Sequence, residues 1–267
     1  MPVARVIVPL PDRDFDVTEV AVPWRLLTRA DFEVVFATEH GAEPAADPLL
    51  LSGVLFGKLG AEPEAKDFYR ELSIKPAFKR PIAWKDIDPE EYDAMLLPGG
   101  HAKGMRQYLE GEALFDRVRA FWKTRKQVAA ICHGVIVLAR TVDRESGRSV
   151  LFDRRTTCLP KYMERSAWLT TAWKLGDYYR TYPEYVEDEV KRCLSHPEQF
   201  IRGPLHLFAK GTASDDGAAF VVDDGHYLSA RWPGDAYLLA KSLIERVIAR
   251  KNGRGSFRGR TATPSSG

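Results

Sequence analysis

The segment AAICHG at residues 129–134 contains the side chains best suited to chemistry. Its cysteine ends an apolar stretch typical of a buried strand, and the glycine two positions later opens a helix-like stretch. This arrangement is typical of a nucleophile elbow, a sharp turn that projects one side chain above the carboxyl edge of a sheet. The first amides of the helix would stabilise a thiolate. The segment predicts that Cys132 is a nucleophile beside His133, the alternative being a buried, inert cysteine.

A second turn, PGGH, follows the apolar run at residues 93–97. Glycine lets the backbone approach a ligand closely, and successive amides in such a turn can face an anion. An ordinary strand-to-helix connection could have the same composition, but two such turns after neighbouring strands favour a site. The predicted oxyanion and substrate-binding residues are Gly99, Gly100, His101 and Gly134. Amides near Gly100 and His133 would form the oxyanion hole.

Alternating strands and helices are predicted to position these turns. Unalternating, β-branched runs suit strands that are buried on both faces, as in a parallel sheet. Strands are predicted at residues 3–8, 32–38, 93–97, 128–131, 218–222 and 227–230, and helices at residues 18–29, 61–80, 111–123, 135–140 and 236–250. This order predicts an α/β fold with a doubly wound, mostly parallel, flavodoxin-like sheet and helices on both faces.

One domain is predicted over residues 1–249, with a helical insertion at about residues 161–200. The insertion is rich in aromatic residues, which suit either a lid or pocket wall, a subunit interface, or the core of a helical subdomain. These residues are Tyr162, Trp168, Trp173, Tyr178, Tyr179, Tyr182 and Tyr185. A flexible basic tail is predicted at residues 250–267, because that segment is rich in Gly and Ser and has basic but no acidic residues.

Composition excludes several classes of protein. A chain of 267 residues with 45% hydrophobic and 11% aromatic residues is not disordered. No apolar run approaches the roughly 20 residues that span a bilayer, and no basic segment precedes an apolar stretch of signal length. We therefore expect a cytoplasmic protein that binds neither membranes nor nucleic acid. Three cysteines without a CxxC motif predict neither a disulfide framework nor a thiolate zinc site.

Three motifs, in this order, resemble the ThiJ/PfpI branch of the class I glutamine amidotransferase-like superfamily. They are PGGH at residues 98–101, AICHG at residues 130–134 and LSARWPGDA at residues 228–236. The resemblance extends from about residue 3 to residue 248, and the larger glyoxalase III and stress-chaperone type members are the most similar. The superfamily's glutaminases place a His-x-Glu pair near the last of these motifs, where this chain has no histidine, so glutaminase activity is not expected.

The resemblance implies a glutamate that hydrogen-bonds the cysteine and donates or accepts a proton. The segment TEVAVPW at residues 18–24 resembles the family element that carries it, which nominates Glu19. A carboxyl held beside the sulfur in a desolvated pocket would have a raised pKa and could move a proton. From the residues alone, Asp14 and Asp16 are equal candidates, and Glu19 could be a solvated acid in the first turn of a helix.

Some larger relatives complete a Cys-His-acid triad with an acid four positions beyond a proline. Glu164 follows Pro160 at that spacing, which nominates Glu164 to orient His133, with glutamate in place of the family's aspartate. A glutamate in a helix N-terminal salt bridge is the alternative reading. Asp153, Asp177 and Asp188 also remain open as partners of His133.

The resemblance and the residues together predict a cysteine-dependent enzyme that acts on a small carbonyl or amide-like compound, as a glyoxalase III-like lyase or a hydrolase. Cys132 would attack the carbonyl, with Glu19 and His133 as acid–base groups. The alternatives are a stress- or redox-responsive protein whose Cys132 is oxidised, and a scaffold without activity. No His, Asp and Glu residues have metal-ligand spacing, so neither a metal nor a cofactor is expected. The family implies a homodimer with a small-molecule substrate.

Overall fold

The computed structural model describes residues 2–53, 60–205 and 209–258, and the strands of these segments form two sheets. Those strands are β1 Ala4–Pro9, β2 Arg13–Phe15, β3 Phe32–Thr38, β4 Ala45–Ala46, β5 Ile82–Ala83, β6 Ala94–Leu97, β7 Gln127–Ile131, β8 Val221–Asp224 and β9 Tyr227–Ala230. The α-helices of the same segments are α1 Val17–Arg29, α2 Pro48–Ser52, α3 Pro63–Ser73, α4 Pro76–Lys79, α5 Arg106–Leu109, α6 Glu112–Lys123, α7 Gly134–Arg140, α8 Lys161–Leu175, α9 Val186–Arg192 and α10 Ala236–Arg258.

The main sheet has the strand order β5-β3-β1-β6-β7-β9-β8. All neighbouring strands are parallel except β8 and β9, which are antiparallel. The central strands β6 and β7 are buried along their whole length, as their continuous apolar sequences predict. After β1 the chain adds β3 on one side and later β6 on the other. This reversal creates a switch point at the carboxyl ends of β1 and β6, where doubly wound folds bind ligands.

Helices cover both faces of the main sheet. Helix α1 packs against α3 and α10, whereas α7 packs against α5, α6 and α9. The fold is therefore α/β with a mostly parallel, doubly wound sheet, as the sequence predicts. None of the helices in the described segments is both long enough and apolar enough to cross a bilayer.

The element boundaries differ from the predictions in a few places. The region at residues 39–53, where no strand or helix was predicted, includes β4 and α2. The helical insertion is interrupted between α8 and α9, because Gly176 takes a φ of 56° and ends α8. The segment between these two helices, residues 176–185, becomes important below because it contacts the candidate site.

Helix α10 does not stop at residue 250, where a flexible tail was predicted, but continues through Arg258. Contacts near residue 250 explain the difference. The Arg250 guanidinium donates to the carbonyl of Arg125, and Lys251 Nζ lies 2.9 Å from the Asp93 carboxylate. These basic residues therefore hold the helix to the domain instead of remaining solvated. The rest of the predicted tail, residues 259–267, lies outside the described residues.

Candidate active site

Cys132 occupies a strained turn between β7 and α7. Its φ is 58°, a left-handed conformation that costs a non-glycine residue about 1–3 kcal/mol. Its amide donates to the Ala230 carbonyl at 3.1 Å, so sheet pairing continues up to the residue at which the chain turns. The Ile136 amide then donates to the His133 carbonyl at 2.9 Å and begins α7. The structure thus has the strand-to-helix elbow expected from the AAICHG segment.

Two glycines allow the turns after β6 and β7 to touch. A Cβ on Gly134 would collide with the carbonyl oxygens of Leu97 and Pro98. A Cβ on Gly99 would lie 2.7 Å from the His133 nitrogen, closer than a carbon atom can sit without a shift of the backbone. Side chains at either position would push the two turns apart. The glycines therefore bring the end of β6 directly against the elbow.

Glu19 is held beside the sulfur by both turns and by its own helix. Asp16 caps α1 by accepting from the amides of Thr18 at 2.7 Å and Glu19 at 3.1 Å. The Glu19 carboxylate oxygen Oε2 accepts from the Gly99 amide at 2.7 Å, and the carboxyl also lies within hydrogen-bonding reach of the Cys132 thiol. The other oxygen, Oε1, is buried and has no well-aligned partner among the described residues.

Glu19 is therefore the acid that the structure places at the sulfur. Asp14 instead accepts from the Gly104 amide at 2.8 Å, and Asp16 is occupied as the helix cap. Complete burial, and secondarily the negative charge of Asp16, raise the pKa of Glu19 well above its usual value. The raised pKa favours the protonated form of this carboxyl, which can donate a proton.

Cys132 is fully buried, and burial favours the thiol over the thiolate. Burial raises the pKa of the Cys132 thiol well above its usual value, and the nearby carboxyls of Glu19 and Asp16 raise it further. The His133 amide donates toward the sulfur and lowers the pKa, but this contribution is smaller. The thiolate expected from the helix N-terminus is therefore not the resting state. The free protein holds a thiol that must lose its proton to a base during reaction.

His133 is in contact with the sulfur, and Thr181 fixes the tautomer of its ring. The Thr181 hydroxyl donates its one proton to the His101 carbonyl at 2.6 Å, so toward His133 Nε2, at 3.3 Å, the oxygen acts as acceptor. Nε2 therefore carries the imidazole proton, and the lone pair of Nδ1 faces Cys132 Sγ at 3.6 Å. Burial lowers the pKa of His133 well below its usual value, so the ring is neutral and can accept the thiol proton.

His101 lies on the open side of the site. Its ring meets the His133 ring edge-on at a centroid distance of 4.8 Å and the Tyr179 ring at 6.0 Å. His101 is only half-buried, whereas Cys132 and His133 are buried. One ligand atom from each of His101, Cys132 and His133 lies within 4.8 Å of the other two. These three residues, which we call the Cys–His–His cluster, could hold a metal ion although their linear spacing matches no metal motif.

Two carboxyl groups lie near Glu19, Asp16 at the start of its own helix α1 and Asp47 at the start of α2. Burial raises the pKa of Asp16 to about 6, and burial also raises the pKa of Asp47. Tyr178 donates from its hydroxyl to the Asp47 carboxylate at 3.2 Å, and Tyr178 and Tyr179 lie edge to face at 5.0 Å. The segment between α8 and α9 therefore forms a wall of the site, as one interpretation of the aromatic insertion predicts.

The structure does not bring Glu164 to His133. The Glu164 carboxylate accepts from the Val186 amide at 3.0 Å and lies 3.7 Å from the Arg180 guanidinium. The alternative reading, a helix N-terminal glutamate in a salt bridge, describes this environment. Thr181, and not an acid, contacts His133 Nε2. The extra methylene of glutamate and the turn of the chain after α8 place this carboxylate at the base of α9 instead.

The predicted oxyanion residues fall into two groups. The Gly99 amide is already bonded to Glu19, and the Gly134 amide lies against the backbone of Gly99, so neither is placed to receive a substrate oxygen. Both glycines instead allow the close approach of the two turns. The His133 amide faces the sulfur, and His101 lines the accessible side. Gly100 lies against the loop at residues 14–16, where a Cβ would come within 2.6 Å of the Asp14 carbonyl oxygen.

Thr181 and Asp47 are site residues that sequence reasoning did not identify, whereas Tyr179 was among the aromatic residues named as a possible pocket wall. Asp47 and Tyr179 are buried carboxyl and hydroxyl side chains that lie far in sequence from the elbow. A lone threonine in an aromatic segment has no sequence signal, because its role depends on the path of the chain between α8 and α9. Only the excess of tyrosine in that segment pointed toward a binding wall.

Comparison with known proteins agrees with this architecture. A family model described as ThiJ/PfpI family-like matches residues 10–204. An uncharacterized protein of Schizosaccharomyces pombe is 28% identical over 251 residues, which cover 90% of this chain and 82% of that protein. A pyridoxal 5'-phosphate synthase subunit, PdxT, of Bifidobacterium longum is 31% identical over 149 residues, 56% of this chain and 71% of that protein.

A solved structure with a similar fold is that of glyoxalase III from Candida albicans. It superposes with a TM-score of 0.64 at 19% identity, covering 91% of this chain and 97% of that chain. At this identity the likeness shows the fold alone. The family model, by contrast, matches most of the chain and includes the β1, β6 and β7 turns that form the site. The chain belongs to the ThiJ/PfpI family.

Proposed function

We propose that this protein is a cysteine-dependent enzyme that converts small, neutral 2-oxoaldehydes into 2-hydroxy acids, a glyoxalase III-like lyase. One observation carries the proposal: Cys132 Sγ lies on a strained elbow between the Nδ1 lone pair of His133, at 3.6 Å, and the protonated carboxyl of Glu19. A nucleophile with a base on one side and an acid on the other suits addition to a carbonyl followed by proton transfer.

The first step is addition of the thiol to the aldehyde. His133 Nδ1 accepts the proton of the Cys132 thiol while a bond forms between Sγ and the aldehyde carbon. The electron pair of the carbonyl double bond moves to oxygen, which takes a proton from the Glu19 carboxyl and becomes the hydroxyl of a hemithioacetal. The base and the acid act on different atoms, so the sulfur need not be ionised beforehand.

The second step moves hydrogen within the substrate. The Glu19 carboxylate removes the proton from the former aldehyde carbon while the His133 imidazolium protonates the ketone oxygen, which gives an enediol. The Glu19 carboxyl then protonates the former ketone carbon, and His133 takes the proton of the hydroxyl on the former aldehyde carbon. The product is a thioester, formed without any external oxidant because one carbon is oxidised while the other is reduced. Water then adds to the thioester, the bond between carbon and Sγ breaks, and a 2-hydroxy acid and the thiol are released.

Burial and charge define the substrate that this site suits. Glu19 and Cys132 are fully buried, so the substrate must be small enough to enter beside the half-buried His101. The carboxyls of Asp16 and Asp47 lie close to each other, and Asp16 lies beside Glu19. They would repel a carboxylate, and a neutral aldehyde has no such penalty.

The redox-sensing alternative receives less support from this geometry. Peroxides react with an exposed thiolate, whereas Cys132 is fully buried and burial raises the pKa of its thiol. Cys193, which is partly exposed, would be the more accessible target. Oxidation of Cys132 ahead of Cys193 under mild peroxide would reverse this preference.

The proposal is tested with purified protein, methylglyoxal as substrate and no added thiol. We expect formation of lactate by the native chain and a loss on the order of 10⁴-fold in turnover for Cys132→Ser. Cys193→Ser, a substitution away from the site, is the matched control and should keep native turnover. Glyoxylate, which bears a carboxylate, should be a much poorer substrate. Full turnover by Cys132→Ser would contradict the mechanism.

A further inference from the structure

We propose that the Cys–His–His cluster binds one Zn²⁺ ion, with Cys132 Sγ, His133 Nδ1 and a His101 ring nitrogen as ligands, and that the ion blocks the nucleophile. The metal site itself does not depend on the proposed reaction, but its inhibitory consequence rests on the proposed function. Thiolate and imidazole are the ligand types that Zn²⁺ prefers in proteins.

The distances in the cluster fit a tetrahedral ion. Zn–S bonds of about 2.3 Å and Zn–N bonds of about 2.0–2.1 Å, in a tetrahedron, place ligand atoms roughly 3.3–3.6 Å apart. Sγ of Cys132 and Nδ1 of His133 are already 3.6 Å apart, and the three ligand atoms lie within 4.8 Å of one another. The His101 nitrogen is the ligand atom that must move closer, and the proposal requires rotation of its half-buried ring toward the other two.

The surroundings of His133 already have the arrangement that a zinc-bound histidine requires. Such a histidine donates its other N–H to a fixed acceptor, which sets the tautomer and the ring orientation. Thr181 Oγ1 is that acceptor for Nε2–H, so the Nδ1 lone pair is directed at the position of the ion. The second observation is Glu19 Oε1, a fully buried oxygen that has no hydrogen-bond partner within residues 2–53, 60–205 and 209–258.

Binding of the ion is a proton exchange at sulfur. The S–H bond of Cys132 breaks, a Zn–S bond forms, and the proton leaves to solvent. The sulfur lone pair is then committed to the metal, so it cannot add to a carbonyl. With three protein ligands, a fourth position remains for water on the side that His101 leaves accessible.

The test uses the full chain, freed of metal with a chelator and titrated with Zn²⁺ against a chromophoric competitor. We expect one ion per chain. Titration with Co²⁺ as a spectroscopic probe should give visible bands of tetrahedral intensity and a near-ultraviolet thiolate-to-cobalt charge-transfer band. Metal-free protein should be active and one equivalent of Zn²⁺ should abolish turnover, but the binding measurements need no substrate.

Variants identify the ligands. Cys132→Ser should remove the charge-transfer band, and His101→Gln should weaken Zn²⁺ binding by about 100-fold or more, because loss of a partner outside the ligand set already costs roughly 10–100-fold. Cys193→Ser and His40→Gln are the matched controls and should bind as the native chain does. Thermal unfolding of each variant verifies that it folds.

Two results would overturn the zinc site. One is the absence of a charge-transfer band at millimolar Co²⁺ in the native, folded chain. The other is undiminished Zn²⁺ binding by both Cys132→Ser and His101→Gln, which would place the ion elsewhere. Neither result depends on turnover of methylglyoxal. Conversely, inactivity of the metal-free protein toward 2-oxoaldehydes would refute the proposed function and leave the metal site standing.

Discussion

Two buried cysteines in the described part of the chain lie near glutamates, and of these two Cys132 alone has a histidine base at its sulfur. Cys132 lies with Glu19, and Cys158 lies in the field of Glu187 and, less strongly, of Glu164. Burial is the main cause of a raised pKa for both thiols, so neither is a resting thiolate. Burial and a neighbouring carboxyl are therefore not sufficient to make a nucleophile.

The two cysteines differ in backbone conformation and in whether a histidine lies at the sulfur. Cys132 has a φ of 58° and the Nδ1 lone pair of His133 at 3.6 Å. Cys158 instead directs its thiol to the Leu159 carbonyl at 3.7 Å. Glu164 is bound to the Val186 amide and faces Arg180, so its carboxyl serves the attachment of α9. A neutral base aimed at the sulfur is what distinguishes the first pair.

Amide substitution of the two glutamates gives the largest expected contrast. Glu19→Gln should lower turnover of methylglyoxal by about 10²–10⁴-fold, the range for loss of a general acid–base group. Glu164→Gln should leave turnover within about twofold, because its carboxyl does not contact the reacting atoms. Both variants should be compared at a saturating substrate concentration. Equal losses in the two variants would show that the pairs are not functionally distinct.

Removal of the Thr181 hydroxyl should lower turnover of methylglyoxal by less than Glu19→Gln does. Thr181→Val deletes the acceptor for His133 Nε2–H, so the ring can take the tautomer that turns a proton toward the sulfur. We expect a loss of about tenfold in turnover, within the range for loss of a group that orients a functional histidine. Turnover as a function of pH, measured alongside, shows whether the base has changed.

Two further variants show whether Thr181 acts by positioning the His133 ring or only by packing. Thr181→Ser keeps the hydroxyl and should restore most of the activity. Thr171→Val removes a buried hydroxyl that bonds to its own helix at the Ala167 carbonyl, and should be silent. Native activity in Thr181→Val would mean that the tautomer of His133 is set by something else.

Local sequence patterns predicted the fold and half of the site. The continuous apolar runs of β1, β6 and β7 identified a parallel sheet because such strands are buried on both faces. The elbow and the β6 turn were recognisable because glycine is required where two backbones touch. The parallel sheet and the two glycine turns were predictable because each depends on a short, contiguous stretch of sequence.

The rest of the site depends on long-range packing. Thr181 reaches His133 only because α8 ends at Gly176 and the chain turns back over the elbow. The same path removes Glu164 from His133, although its spacing from Pro160 matches the pattern of the family. His101 and Cys132 form a cluster because β6 and β7 are neighbours in the sheet, a contact that no linear motif records.

The final contrast concerns stability, and here Glu164 should respond to pH. Burial raises the pKa of Glu164 to about 7 from its usual 4.5, so the native state holds the proton more tightly than the unfolded state does. The protonated carboxyl therefore stabilises the fold below about pH 4.5, and this contribution, roughly 3 kcal/mol, is lost as the pH rises through about 7. Glu164→Gln has no such proton.

Urea unfolding at several pH values should show the free energy of unfolding of the native chain falling relative to the variant over this range. Glu112→Gln, at an exposed position, should parallel the native chain. Parallel curves for Glu164→Gln and the native chain would mean that Arg180 keeps the buried carboxylate ionised throughout.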